Sequence, residues 1–201
     1  MTMQLFYSKT SPYSRKVRLV IQEKGLVDKI EAFPCNPFDE LPALKAANPL
    51  GKVPTLITDS GFALYDSPVI CEYLDSLTPE NPLIPESGMA RWQIRRWEAL
   101  ADGMLDAAYN LVMERRRPSR EQSAQWMQRW ETDVTRAIQQ AGRDMGDLPE
   151  AITLAQLALG AALGYLDFRL PEFAWRDGRS VISRWYDVFE MRPSMLQTRP
   201  E

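Results

Sequence analysis

The sequence predicts a mixed α/β domain followed by an all-helical domain. Over residues 1–78, short β-prone runs alternate with segments of helical spacing in the order βαβαββα. Prolines at 79, 82 and 85 then interrupt any regular element, which is typical of an interdomain linker. Beyond them, apolar residues recur only at helical spacing. We therefore predict an α/β domain at 1–78, a linker at 79–88 and an all-α domain at 89–201.

The elements of the first domain follow from periodicity and turn residues. A strand at 4–8 leads to a helix that opens at Ser11-Pro12, where proline is favourable at the first helical position, and closes at Lys24-Gly25. The remaining predicted elements, in chain order, are a strand at 29–33, a short helix at 41–47, strands at 54–58 and 62–64, and a helix from Ser67-Pro68.

The second domain is predicted to contain four helices. An apolar stripe from Trp92 to Val112 ends before Pro118, and Ser119 with Gln122 is expected to cap the next helix, with its apolar positions at 127–141. Residues 153–168 are apolar around most of the helical circumference, which indicates a central buried helix that begins with a capping box. A last helix is predicted over 181–191, and Arg192-Pro193 is expected to end it.

Composition excludes several classes of chemistry. The chain contains no histidine, so mechanisms with a histidine base and zinc sites that need an imidazole are excluded. Its two cysteines, Cys35 and Cys71, form no CxxC pair and are too few for a four-cysteine metal site. This cysteine usage indicates a reducing compartment. A net charge of -3 disfavours nucleic acid and anionic membranes as partners, and no apolar run is long enough for a membrane span. We expect a soluble cytoplasmic protein.

The first candidate site is Thr10-Ser11-Pro12-Tyr13-Ser14-Arg15, where the first strand meets the first helix. Ser11 is the predicted N-cap, so its hydroxyl and the free N–H groups of the first turn lie at the positive end of the helix dipole. A plain capping role is the simpler interpretation. The functional interpretation is that the Ser11 hydroxyl donates a hydrogen bond to a bound thiolate, whose charge the dipole also favours.

The second candidate site lies in Asn48-Pro49-Leu50-Gly51-Lys52-Val53-Pro54-Thr55-Leu56. A proline that starts a strand cannot donate to the ladder, and a cis Val53-Pro54 bond would turn the N–H and C=O of Val53 towards a groove. Those backbone groups suit a peptide-like ligand. Lys52 is either a solvated surface residue or a partner for a ligand carboxylate.

A second helix start, Asp66-Ser67-Pro68, is the third candidate site. The Ser67 hydroxyl and the exposed N–H groups can bind an α-carboxylate, and Asp66 can accept an α-ammonium. Taken singly, this motif is equally an ordinary helix cap. Taken together, the three motifs point to one ligand that carries thiolate, peptide and amino-acid groups.

These motifs resemble those of the cytosolic glutathione transferases. The resemblance is strongest in three segments that are specific as a set: NPLGKVPTL, then Leu64-Tyr65-Asp66-Ser67, then an Ile-x-Glu-Tyr-Leu helix at 70–74. It covers essentially the whole chain. It implies a thioredoxin-like N-terminal domain, a helical C-terminal domain, and glutathione as co-substrate without a metal. The chain is most similar to bacterial theta-, zeta- and beta-like members with a serine-type site. In the capping box of the central helix, Gln156 stands where the family usually has Asp.

The resemblance also assigns roles to the candidate residues. Ser11 is implied to activate the sulfur of glutathione, with Tyr7 as the second candidate for the thiolate donor and Thr10 as the third. Ser14 stands where a resolving cysteine would be, so dithiol reduction is disfavoured. The residues implied to hold the rest of glutathione are Val53 and Pro54 for the cysteinyl backbone, Lys52 for the glycyl end, and Asp66 and Ser67 for the γ-glutamyl head.

Two classes of function follow from the resemblance. As an enzyme, the protein conjugates the thiolate to a small electrophilic hydrophobic substrate held against the helical domain, with Tyr109, Met113 and Phe168 as wall residues. A glutathione-dependent peroxidase side activity would use the same thiolate. The alternative is a non-catalytic glutathione-binding or stress-related protein-interaction module. A homodimer is also implied, with Asp102 reaching the glutathione of the neighbouring subunit.

Overall fold

A computed structural model describes residues 2–39 and 41–201. The chain forms two compact units, one of Met1–Arg91 with Pro193–Glu201 and the other of Trp92–Arg192. The helical unit is shorter than the predicted helical domain at both ends, because residues 89–91 and 193–201 belong to the first unit. The sequence prediction assigns all of residues 89–201 to the helical domain, whereas Pro193–Glu201 packs with the first unit.

Four strands form the sheet of the first unit, in the spatial order β2-β1-β3-β4. They are β1 (Met3–Tyr7), β2 (Ile30–Pro34), β3 (Thr55–Ile57) and β4 (Ala63–Leu64). β1 and β2 are parallel, whereas β3 is antiparallel to both β1 and β4. The predicted strands are confirmed in number and order, with bounds that differ by at most one residue at either end.

Three helices complete the α/β order of the first unit: α1 (Pro12–Glu23), α2 (Pro42–Ala47) and α3 (Ser67–Ser76). α1 and α3 pack against each other. Each helix has apolar residues that are fully buried, Val17 and Val20 in α1 and Ile70 and Leu74 in α3. The predicted βαβαββα order of a thioredoxin-like domain is thereby confirmed.

A buried ion pair fixes the proline-rich segment that follows α3. The ammonium of Lys24 lies 2.9 Å from the carboxylate of Asp75, and both side chains are almost fully buried. This carboxylate accepts the N–H groups of Leu83 at 2.8 Å and Ile84 at 2.9 Å. The ammonium also donates to three carbonyls of the same segment, those of Thr78, Glu80 and Asn81. The segment is thus tied to the ends of α1 and α3.

A short helix that the sequence analysis missed, α8 (Pro193–Gln197), packs against α1. The guanidinium of Arg15 donates to the carbonyl of Met195 at 3.1 Å, and that of Arg18 donates to the carbonyl of Gln197 at 3.2 Å. Pro193, expected only to end the preceding helix, begins a new one because proline is favourable in a first helical turn. These bonds explain why the C-terminal segment packs with the first unit.

The second unit is all-helical, as predicted. It contains most of α4 (Gly88–Arg115), whose first residues belong to the first unit, followed by α5 (Ala124–Asp144), α6 (Leu154–Arg169) and α7 (Ser180–Phe189). The predicted cap of α5 is wrong. Ser123 caps this helix, and its hydroxyl accepts the N–H of Trp126 at 3.4 Å. Ser119 starts a 3-10 turn instead, and the Gln122 amide donates to the carbonyls of Arg115, the last residue of α4, and of Arg117.

The central helix of this unit is α6, in which every residue from Leu154 to Leu166 is buried, as predicted. The predicted capping box is confirmed: the Gln156 side-chain oxygen accepts the backbone N–H of Thr153 at 2.9 Å. Its side-chain nitrogen donates to the carbonyls of Pro149 at 2.7 Å and Ala151 at 3.0 Å. An aspartate has no donor for these two bonds, so glutamine adds a connection between α6 and the preceding loop. None of the helices in the described ranges is both long and apolar enough to cross a membrane.

Candidate functional site

The register of the sheet brings the three predicted motifs to one end of it. Phe6 near the end of β1 pairs with Thr55 at the start of β3, and Leu64 at the end of β4 pairs with Leu56. Because β3 runs antiparallel to both neighbours, the loop after β1, the loop before β3 and the loop after β4 emerge at the same end. These loops carry the predicted ligand-binding residues Ser11, Lys52, Val53, Pro54, Asp66 and Ser67.

Ser11 is the N-cap of α1, as predicted. Its backbone is extended, with φ -80 and ψ 123, and its side-chain oxygen accepts the N–H of Ser14 at 3.2 Å. Pro12 follows as the first helical residue. Since the Ser11 oxygen acts as the acceptor in this bond and no described residue accepts its hydrogen, the hydroxyl can still donate to a ligand.

A small hydroxyl network holds the loop between β1 and α1. Ser14 is fully buried, and its side-chain oxygen accepts the N–H of Ser8 at 3.3 Å. The hydroxyls of Ser8 and Thr10 lie 3.3 Å apart, and the N–H of Ser11 donates to the carbonyl of Ser8 at 3.2 Å. Sequence reasoning assigned no structural role to Ser14, because its bond to Ser8 forms only once the loop folds back on the first turn of α1.

Tyr7 ends β1 and is half-buried. The guanidinium carbon of Arg18 lies 5.0 Å from the centre of the Tyr7 ring, which is a cation–π geometry. Burial lowers the pKa of Arg18 from its ordinary value, and the guanidinium remains charged because arginine titrates far above neutral pH. One face of the Tyr7 ring is thus occupied by α1.

Asn48 and Thr55 fix the loop that contains Val53 and Pro54. The buried Asn48 carboxamide donates to the Lys52 carbonyl at 3.1 Å and to the Thr55 hydroxyl at 3.0 Å, and that hydroxyl donates to the Lys52 carbonyl at 2.8 Å. Sequence reasoning quoted both residues in the motif without giving them a role. The signal that could have identified them is their position, because Asn48 and Thr55 lie on either side of the turn that contains Val53 and Pro54.

The backbone groups of Val53 are available to a ligand. The Val53-Pro54 peptide bond is cis, as predicted. No described residue hydrogen-bonds to the N–H or the C=O of Val53, so both groups can pair with a ligand backbone. The Lys52 side chain is exposed.

Asp66 occupies the N-cap position of α3, and its carbonyl accepts the N–H of Ile70 at 3.0 Å. The peptide bond between Tyr65 and Asp66 is cis. The Asp66 carboxylate is exposed and makes no capping bond, whereas Ser67, the first helical residue, is buried. A carboxylate therefore lies next to the positive end of a helix dipole, which suits a ligand with both an ammonium and a carboxylate.

The predicted wall residues lie in the second unit. Tyr109 and Met113 are half-buried on α4, and Phe168 is half-buried on α6. Sequence reasoning missed their charged neighbours: a guanidinium nitrogen of Arg116 lies 3.8 Å from the Met113 sulfur, and the guanidinium carbon of Arg169 lies 4.2 Å from the centre of the Phe168 ring. Asp102 is half-buried on α4.

Neither cysteine is an activated nucleophile. Burial raises the pKa of the Cys35 thiol, and the N–H of Cys35 donates to the Tyr7 carbonyl at 2.8 Å. Cys71 is buried. Within residues 2–39 and 41–201, no group of three or more metal-ligating side chains could hold an ion.

Comparison with known proteins identifies the class. Residues 5–82 match the model of the glutathione S-transferase N-terminal domain, and residues 124–188 match that of the glutathione S-transferase C-terminal domain. A glutathione transferase family member from Pseudomonas fluorescens Pf-5, with bound glutathione, is 38% identical, covers 100% of both chains and superposes with a TM-score of 0.94. A structure with bound S-(propanoic acid)-glutathione, from the same organism, is 36% identical, covers 100% of this chain and 98% of that one, and has a TM-score of 0.90.

Two further relatives extend the comparison. The uncharacterised GST-like protein YibF of Escherichia coli K12 is 32% identical over 98% of each chain. The Stringent starvation protein A homolog of Pasteurella multocida is 39% identical over 46% of this chain and 42% of its own. The fold and both matched domains define a two-domain protein of the glutathione-transferase type. The chain belongs to the glutathione S-transferase family.

Proposed function

We propose that this protein is a glutathione transferase that conjugates the thiolate of glutathione to small electrophilic hydrophobic substrates, with Ser11 stabilising the thiolate. The observation that carries the proposal is the Ser11 hydroxyl, which lies at the N-terminus of α1 with its hydrogen available for a ligand. A thiolate accepting this bond gains from the hydroxyl and from the helix dipole. Tyr7 is the second candidate for this role and Thr10 the third.

The dimensions of the sheet support glutathione as the co-substrate. The loops after β1 and β4 are separated by β3, which amounts to two strand spacings or about 10 Å. An extended tripeptide spans roughly 10 Å. Glutathione therefore extends from Ser11 at its sulfur to Ser67 at its γ-glutamyl end, with Val53 between them.

Each part of glutathione has a partner in this arrangement. The N–H and C=O of Val53 pair with the cysteinyl backbone, while the exposed ammonium of Lys52 attracts the glycyl carboxylate. Asp66 accepts the α-ammonium of the γ-glutamyl group, and Ser67 with the first turn of α3 binds its α-carboxylate. No metal takes part in this reaction.

The helical unit supplies the binding site for the electrophile, with Tyr109, Met113 and Phe168 as apolar contacts. The relative that binds S-(propanoic acid)-glutathione supports a substituent on the sulfur. The same thiolate can attack the oxygen of a hydroperoxide, so a peroxidase side activity accompanies the transferase in this proposal.

A homodimer is part of the proposal. Apolar side chains are exposed on both sides of β4 and on α3: Phe62 before the strand, Tyr65 after it and Val69 on the helix. Covering them with a second copy removes apolar surface from water. Asp102 of one subunit then reaches the glutathione of the other, and we expect Asp102→Ala to weaken glutathione binding.

The proposed function is tested by conjugation of glutathione to a nitro-activated aryl chloride. The wild-type protein is expected to accelerate the reaction over the uncatalysed rate, and Ser11→Ala is expected to lose most of the rate with little loss of glutathione affinity. Ser123→Ala is the matched control, because it removes another capping serine, that of α5. Equal rates for the wild-type protein and Ser11→Ala would refute the role of Ser11.

The second candidate is a glutathione-binding or protein-interaction module without turnover. It is favoured by the partial match to the Stringent starvation protein A homolog. Tight glutathione binding with no rate above background for aryl halide, unsaturated acid or peroxide substrates would select this function.

A further inference from the structure

A buried serine, Ser14, contacts both ends of the loop that carries Ser11. Its side-chain oxygen accepts the N–H of Ser8, the first residue after β1, at 3.3 Å. Its own N–H donates to the side-chain oxygen of Ser11, the last residue before α1, at 3.2 Å. One residue in the first turn of α1 therefore holds the point where the strand ends and the point where the helix begins.

Residues 8–11 form a closed turn between these two points. The N–H of Ser11 donates to the carbonyl of Ser8 at 3.2 Å, which is the bond that closes a four-residue turn. Within the turn, the Ser8 side-chain oxygen accepts the N–H of Thr10 at 3.4 Å and lies 3.3 Å from the Thr10 hydroxyl oxygen. Because the turn is closed by its own bonds, a displacement of Ser8 also displaces Ser11.

The contacts of Ser14 differ from those of an ordinary capping box. In a capping box, the side chain of the third helical residue accepts the N–H of the N-cap residue. Ser14 is the third residue of α1, but the N–H of the N-cap residue Ser11 donates to the Ser8 carbonyl. The Ser14 side chain bonds to Ser8 instead, three residues before the cap. Its hydroxyl therefore stabilises the loop, and not only the end of the helix.

The same bonds leave the Ser11 hydroxyl in the role of a donor. A hydroxyl has one hydrogen and two lone pairs. The N–H of Ser14 occupies a lone pair of the Ser11 oxygen, so the hydroxyl hydrogen is left for an acceptor in another direction. The Thr10 hydroxyl, in contrast, is engaged with Ser8 inside the loop. This difference favours Ser11 over Thr10 as the donor to a thiolate.

Burial makes the bond between Ser14 and Ser8 difficult to replace. Ser14 is 0% exposed, so water does not reach its side chain, whereas Ser8 is half-buried. A buried donor that loses its acceptor keeps the full cost of its desolvation. Without the Ser14 hydroxyl, the N–H of Ser8 regains a partner by moving towards water. The Ser11 N–H, which donates to the Ser8 carbonyl, moves with it.

We propose that Ser14 is a positioning residue for the thiolate: its buried hydroxyl holds Ser8, and through the closed turn it holds Ser11 in the geometry that the glutathione sulfur requires. This inference rests on the proposed function and adds a residue to its site. A hydrogen bond weakens steeply as its angle departs from linearity. A displaced Ser11 therefore stabilises the thiolate less, while Val53 and Ser67 still bind the rest of glutathione.

Titration of thiolate absorbance for bound glutathione tests this role. Ser14→Ala removes the hydroxyl but keeps the N–H that donates to Ser11. We expect the pKa of the bound thiol to return about half of the way from its wild-type value to the free value of about 8.5. The affinity for glutathione should stay within about twofold of that of the wild-type protein, so kcat falls while KM for glutathione changes little.

Thr58→Val is the matched control variant. The buried Thr58 hydroxyl accepts the N–H of Phe62 at 3.0 Å in the turn between β3 and β4, at the opposite end of the sheet from Ser11. The variant thus removes a buried hydroxyl from the same kind of bond in the same unit. It is expected to lower the midpoint of urea unfolding about as much as Ser14→Ala and to leave the pKa of the bound thiol unchanged.

A second measurement needs no substitution. In the wild-type protein, amide hydrogen exchange followed by NMR should show the N–H of Ser8 protected, because it donates to a buried oxygen. Exchange of this amide at the rate of an unstructured chain would overturn the inference, even if Ser14→Ala failed to fold.

The titrations separate failure of this inference from failure of the proposed function. A wild-type pKa in Ser14→Ala, together with a higher pKa in Ser11→Ala, would overturn the role of Ser14 and leave that of Ser11 intact. An equal rise of the pKa in Thr58→Val and Ser14→Ala would also overturn it, because lost stability would then be the cause. An unshifted thiol in the wild-type complex would overturn the proposed function and this inference together.

Discussion

The carboxamide of Asn48 donates a hydrogen bond of 3.0 Å to the hydroxyl of Thr55, and both side chains are buried. This bond joins the start of the turn to the first residue of β3, across Val53 and Pro54. Since the Lys52 carbonyl accepts from both side chains, the backbone between them is held in one conformation. The backbone groups of Val53 are thereby preorganised for a peptide ligand.

Removal of this bond is expected to weaken both stability and glutathione binding. Asn48→Ala should lower the free energy of unfolding by about 1–3 kcal/mol, because buried partners lose their bonds, and lower the affinity for glutathione about tenfold. Urea unfolding and calorimetry measure the two effects. Asn36→Ala is the control, since Asn36 makes an exposed bond to Asp39. Unchanged glutathione affinity in Asn48→Ala would contradict the positioning role.

The buried pair of Lys24 and Asp75 predicts a large stability effect. Lys24→Met leaves the Asp75 carboxylate buried without its cation, which is expected to cost about 3–5 kcal/mol. The double variant Lys24→Met with Asp75→Leu should recover part of this loss. Lys9→Met, which removes the exposed pair with Glu201, should change little. A double variant less stable than Lys24→Met would show that the pair is not the cause.

Gln156 offers a test of the amide in the capping box. Gln156→Glu keeps the size of the side chain but replaces the nitrogen that donates to Pro149 and Ala151, so we expect a loss of about 2 kcal/mol at neutral pH. Urea unfolding provides the measurement. Gln128→Glu, on the exposed surface of α5, is the control. Equal free energies of unfolding for Gln156→Glu and Gln128→Glu would mean that the bonds from Gln156 to Pro149 and Ala151 contribute nothing to stability.

The raised pKa of Tyr165 predicts a pH dependence of stability. Burial raises this pKa from 10.0 to about 12, so on raising the pH the unfolded chain loses the proton before the folded one does. The contribution of Tyr165 is therefore fully present below pH 10 and is lost progressively as the pH rises to about 12.

Relative to Tyr165→Phe, the wild-type protein should lose about 2–3 kcal/mol of stability over this range. Unfolding in urea at a series of pH values checks this, with Tyr65→Phe as the control because Tyr65 is 37% exposed. A stability difference between wild type and Tyr165→Phe that does not vary with pH would contradict the effect of burial.

Local rules predicted much of the first unit. Ser11 could be recognised as an N-cap because proline follows it, and a cis bond could be anticipated at Val53-Pro54 because X-Pro bonds adopt the cis form far more readily than others. Periodicity identified α6 as buried because its apolar residues surround the whole helix. The same rules could not choose between Ser119 and Ser123 as the cap of α5, since either serine has the required chemistry.

Contacts between distant residues were not predictable in this way. Lys24 and Asp75 meet only after α1 packs on α3, and neither residue has a local signal for burial. Pro193 was interpreted only as a stop signal, although proline equally begins α8.

The most direct test of the account is the titration of thiolate absorbance for glutathione bound to the wild-type protein, to Ser11→Ala and to Tyr7→Phe. A free thiol titrates near a pKa of about 8.5, and each unit of depression corresponds to about 1.4 kcal/mol of preferential stabilisation of the thiolate. We expect the wild-type and Tyr7→Phe complexes to titrate at least about one unit lower, and the Ser11→Ala complex to return towards the free value. An unshifted thiol in the wild-type complex, or an equal depression in Ser11→Ala, would contradict thiolate stabilisation by Ser11.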